Sequence, residues 1–142
     1  MFCQKAPKSL ALVFLLFVSF AGCSGSSEPV STTGMPEALD GLKDLAELLK
    51  ILESEGRSFP KKKSEFVQHD VMHPAAGTLI PNGTVVYFLG GKIDSNDANP
   101  KIVAMQAGAD KGGGWVLLSN GELKDLPADQ VAALGTSGKP VQ

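Results

Sequence analysis

The side chains best suited to chemistry are few. His69 and His73 are the only histidines, with Asp70 between them. On a helix, histidines four positions apart turn to one side and can share a metal ion. Pro74 and Gly77 speak against a helix there, and no third histidine or spare cysteine completes a ligand set. Two polar loop histidines are therefore the expectation, and a metal or small molecule held by His69 and His73 the alternative. Asp94, Asn96 and Asp97 alternate oxygen donors as a calcium loop does, but Ala98, Asn99 and Pro100 break the pattern, which reads as a solvated turn. Gly112-Gly113-Gly114 runs into a strand-forming segment rather than a helix, so it does not read as a phosphate cradle. Asn82-Gly83-Thr84 matches a glycosylation sequon and is most simply a turn. There is no Gly-x-Ser-x-Gly elbow, and no pair of carboxylates stands out. No enzyme activity and no cofactor are expected.

The remaining reactive side chain is Cys23. A basic start (Lys5, Lys8) precedes an apolar run over residues 10–18 and the small residues Ala21 and Gly22. Charge, apolar core and small residues in that order mark a secretory signal peptide. The run falls short of the roughly 20 apolar residues that a permanent transmembrane helix needs. The stretch Phe20-Ala21-Gly22-Cys23 resembles a bacterial lipobox. The resemblance implies cleavage between Gly22 and Cys23 and a diacylglycerol on the Cys23 sulfur. Two or more acyl chains make membrane attachment stable where one does not. Ser24, rather than Asp, follows the cysteine; by resemblance to lipoproteins of two-membrane bacteria this implies the outer membrane, facing the periplasm. A plain secreted protein with an incidental cysteine is the alternative.

Loss of Lys5 and Lys8 with residues 1–22 leaves eleven basic against fifteen acidic residues, a net charge of about −4. An acidic chain gains nothing from a phosphate backbone, so no nucleic-acid partner is expected. Cys3 leaves with the leader, so no disulfide forms within the mature chain. Stability must come from an apolar core.

Elements able to build that core follow in order. Residues 23–35 are small and polar and read as a lipidated flexible tether. Over residues 36–55, Leu39, Leu42, Leu45, Ala46, Leu48, Leu49 and Leu52 recur on one half of a helical circumference, with charges opposite. Pro36 and Gly56 suit its two ends. Lys61-Lys62-Lys63 is a short basic run; three lysines fall below the about four to eight that bind anionic headgroups, so a solvated face is expected. Residues 68–77 read as loop, 84–89 and 101–106 as strands, and 107–114 as loop. Apolar runs on both sides of Asn120-Gly121 make a hairpin of residues 115–126. Residues 127–134 suggest a short closing helix, and 135–142 a frayed tail.

The segment from Gly113 through Trp115-Val116-Leu117-Leu118, Asn120-Gly121 and Pro127 to Val131 resembles the ending of short lipoproteins common in planctomycete bacteria, a group without assigned activity. Ala104-Met105-Gln106 departs from the Ala-Tyr-Glu-like run found there, and Val131 stands where that group often has Phe. Gly56-Arg57-Ser58-Phe59-Pro60 is similar to the junction after the long helix of pseudopilin-like domains. Both resemblances imply shape and location only.

The expectation is an α+β protein: one long N-terminal amphipathic helix packed on an antiparallel sheet of three to five strands. The division is a signal peptide (1–22), a tether (23–35), a single domain (36–134) and a disordered tail (135–142). The expected role is a membrane-anchored envelope lipoprotein, non-enzymatic, binding an unidentified envelope protein or presenting a surface.

Overall fold

A computed structural model describes residues 35–142; the expected signal peptide of residues 1–22, including Gly22, with Cys23 and the tether before Met35, lies outside the described residues. The class is α+β, built on a four-stranded antiparallel sheet.

Helix α1 covers Met35–Ser54. Its leucines at 42, 45, 48, 49 and 52, with Ala38 and Ala46, are buried. Their spacing keeps one stripe turned inward while Glu37, Lys43, Glu47 and Lys50 stay in solvent. The helix ends at Gly56, whose φ of 66° is left-handed. The amide of Arg57 reaches Leu52 O at 2.8 Å and that of Gly56 reaches Glu53 O at 3.1 Å, a Schellman closure of the last carbonyls. Gly41 lies where α1 is crossed: a Cβ there would sit 2.9 Å from Leu79 Cδ1 and 3.1 Å from Val85 Cγ2.

The connection to the sheet is more ordered than its residues suggest. A 3₁₀ helix spans Lys63–His69, and α2 spans Pro74–Leu79. Of the loop expected over residues 68–77, only 70–73 lie outside these two helices. Pro74 opens α2 at its first turn, where its missing N–H costs nothing. Gly77 is tolerated because Asp70 packs against it; a Cβ would lie 2.6 Å from Asp70 Cα. The carboxylate of Asp44, on α1, accepts the Ala75 amide at 2.8 Å and pins α2 alongside.

The strands are β1 (Val85–Tyr87), β2 (Ile102–Gln106), β3 (Gly114–Leu118) and β4 (Leu123–Leu126), each antiparallel to its neighbour in chain order. Between Ile102 and Ala104 the register shifts by a bulge. One residue too many on β2 puts both Val103 and Ala104 toward α1, while Ile102 faces the opposite layer. The alternation of β3 divides likewise, with Leu117 toward α1 and Val116 and Leu118 away. A four-residue turn of helix, α3 (Ala109–Gly112), occurs within the expected loop of 107–114. Helix α4 (Ala128–Leu134) closes the second face, with Val131 buried among Phe88, Ile102, Val116 and Leu118.

The disordered tail expected over residues 135–142 is a correction. The Ile102 amide bonds to Gly135 O and the Ser137 amide to Ile102 O, both at 2.9 Å. The Leu89 amide reaches Lys139 O at 2.8 Å, the Val141 amide reaches Tyr87 O at 2.9 Å, and Val141 is buried. β1 is an edge strand, and an unpaired row of amides and carbonyls seeks partners. The tail supplies them, so the folded unit extends past residue 134 to the last residue described.

Candidate functional site

The 3₁₀ helix decides what the two histidines can do. Near three residues per turn, it sets Phe66 and His69 on one side. Phe66 is fully buried, edge-on to Tyr87 with ring centroids 5.4 Å apart at 75°. His69 is half-buried, and His73 follows as the residue capping α2, its amide bonded to His69 O at 2.8 Å. The chain therefore does bring the pair together, through one closed turn rather than a continuous helix. Desolvation pushes the His69 pKa down, helped by the charge of Arg57 and by His73, so a neutral imidazole is favoured. His73 is only 6% exposed, and its Nδ1 has no hydrogen-bond partner. A buried nitrogen left unpaired costs about 1–3 kcal/mol. No group of three or more metal-ligating side chains occurs among the described residues. Two imidazoles alone would leave a metal ion to fill its other positions from water or a ligand.

Around this turn the chain shows what sequence reading did not find. Val71 is 87% exposed, Met72 77% and Val67 50%. Three large apolar side chains within six residues stand in solvent beside the histidines. The signal was there in the pairs Phe66-Val67 and Val71-Met72: the three-residue turn takes Phe66 inward and Val67 outward, and Val71 and Met72 fall in the turn after the helix ends at His69.

The other polar groupings are spent on folding. Asp97 accepts the Ser119 hydroxyl at 2.6 Å and the Asn99 amide at 3.0 Å, and Ser119 Oγ accepts the Lys101 amide at 2.9 Å. With Asp94 Oδ1 accepting the Asn96 amide at 3.0 Å, the acidic loop is laced to the β3–β4 turn rather than arranged round a cation. Asn82 Oδ1 takes the Thr84 amide at 2.9 Å, a turn stabilised by its own side chain. Tyr87 donates to Gly91 O at 3.1 Å, and burial pushes its hydroxyl up to about 12.

The Ser119 hydroxyl, then the Asn99 amide, hold the Asp97 carboxyl below its usual range. A depressed carboxyl pKa favours the fold above the unfolded value near 3.9 and loses that benefit as pH falls through the native value. Asp97→Asn should lower the urea midpoint at neutral pH, with the gap to wild type closing in acid. A gap that stays constant from neutral pH down to strong acid would exclude this linkage.

Compared with family models, curated proteins and solved structures, the chain matches none.

Proposed function

We propose that this is a non-enzymatic lipoprotein of the cell envelope, anchored through Cys23 and presenting its folded domain to a partner protein. The observation that carries the reading is the coincidence of Lys5 and Lys8, the apolar run of residues 10–18, and Ala21-Gly22 directly before Cys23. On this reading cleavage after Gly22 removes residues 1–22, and residues 23–35 tether the domain to the outer membrane, facing the periplasm. Helix α1 is then the first element beyond the tether, lying on the sheet. The exposed Val67, Val71 and Met72 support the partner-binding half, because isolated apolar residues are common on surfaces but grouped ones mark contact sites.

Cys23→Ser tests the anchor. The wild-type protein should stay with membranes in a high-salt wash and carry the mass of an acylated N-terminus, and the variant should appear in the soluble fraction without it. Unchanged fractionation would remove the anchor from the reading. Cross-linking in the same cells should recover a discrete partner with the wild type, lost in a Val71→Ser/Met72→Ser double variant.

A second reading is favoured by one observation, the buried unpartnered Nδ1 of His73. It is a metal- or small-molecule-binding lipoprotein using His69 and His73. Zinc or copper should then raise the thermal midpoint of the wild type and leave His73→Ala unmoved; absence of any shift with either metal excludes it.

A further inference from the structure

The docked tail creates a feature that no local run of sequence contains. Residues 61–63 supply three lysines, and the tail brings a fourth, Lys139, to the same place. Two backbone bonds hold it there: Leu89 N–H to Lys139 O at 2.8 Å and Lys63 N–H to Gln142 O at 3.1 Å. Lys61, Lys62 and Lys139 line an open hollow of about 480 Å³ with Leu89, Pro140 and Gln142. A second hollow of about 450 Å³ adjoins it, sharing Lys61 and Leu89 and adding Phe59, Pro60 and Gly90. The combined surface has an apolar floor and a rim of ammonium groups. None of the four lysines is in an ion pair among the described residues. Glu65 takes the backbone amide of Lys61 at 2.7 Å, and the main-chain oxygen of Gln142 at the edge of the hollow is a second acceptor there.

We infer that this face is a second membrane contact, docking on the anionic headgroups of a bilayer. Lys61, Lys62 and Lys139 face the hollow and Lys63 follows directly in the chain, so this region gathers the about four charges that such binding uses, whereas the run of three alone does not. Aliphatic lysine stems and an apolar floor suit the boundary between headgroup and acyl chain. Reach permits it. The patch lies just past the end of α1, which is about 30 Å long at 1.5 Å per residue. Eleven residues separate Cys23 from α1, a contour length of at most roughly 40 Å, so anchor and patch can touch one bilayer. An acyl group and a basic patch together form the pair of signals that stable peripheral attachment uses.

The inference rests on the anchored reading only in placing a bilayer nearby, and its test omits the anchor. Purified Cys23→Ser chain is sedimented with phosphatidylglycerol vesicles and with phosphatidylcholine vesicles. Binding should occur on the first alone and disappear in high salt. At about fivefold per lysine, Lys61→Gln/Lys62→Gln/Lys139→Gln should lower the partition about a hundredfold. Lys43→Gln/Lys50→Gln/Lys111→Gln removes the same charge from other exposed positions and should leave binding unchanged. Equal binding to both lipids, no binding to either, or equal losses in the two variants would overturn the inference. So would displacement by glycerol phosphate, which would assign the patch to a soluble phosphate. A Cys23→Ser protein that stays on membranes washed in high salt, which releases the patch, counts against the anchor alone.

Discussion

Phe66→Ala should destabilise the domain by about 3–5 kcal/mol, the usual loss for truncating a buried aromatic. The ring is fully buried and meets Tyr87 edge-on, so both its transfer energy and an aromatic contact are lost. Total stabilities run to about 5–15 kcal/mol, so this one change removes a third or more of a typical value. A urea titration checks it. The neighbouring Val67→Ala is the control: Val67 is half exposed, and its truncation should cost less than about 0.5 kcal/mol. Equal effects at the two positions would show that the 3₁₀ register of Lys63–His69 is wrong. The same register sets His69 on the Phe66 side, so the comparison also checks the placement of that histidine.

Val141→Asp tests whether the tail is part of the fold. Val141 is 4% exposed, and its amide bonds to Tyr87 O. A carboxylate is not held there at neutral pH; the tail would leave its seat instead. The cost is then limited to what docking contributes, the burial of one valine plus the strand pairing, about 2–3 kcal/mol. A frayed tail would give no change in the urea midpoint. Amide exchange locates the effect: Leu89 and Ile102, whose N–H groups donate to Lys139 O and Gly135 O, should lose protection, while Leu118 on β3, whose amide donates to Glu122 O, keeps most of its own. Undocking also moves Lys139 away from Lys61 and Lys62, so the variant should bind anionic vesicles more weakly.

The two effects share a cause. The 3₁₀ helix and the tail meet through Lys63 N–H and Gln142 O, and both border β1. Each short segment gains its order from the sheet edge and not from its own propensity. A seven-residue 3₁₀ helix and a single extended tail are marginal alone.

What was legible in the sequence is what local chemistry dictates. Alternating apolar residues and turn pairs sufficed for an antiparallel sheet and for the hairpin at Asn120-Gly121, where Gly121 has the left-handed φ of 86° that such a turn requires. Charge and the scarcity of histidine and cysteine bounded the chemistry before any fold was known. Tertiary structure alone decided the rest. Pro74 and Gly77 signal a break by local rules, yet they sit in a helix because α1 and Asp70 pack against it. Residues 135–142 contain too little apolar surface to order themselves, and they order because an edge strand has amides and carbonyls to pair. His73 lost its solvent to the same packing, and Lys139 gained Lys61 and Lys62 as neighbours from some eighty positions away. Periodicity and turn chemistry act over a few residues and can be read along the chain. Burial, edge pairing and charge clustering depend on which distant segments meet, and only the folded chain specifies that.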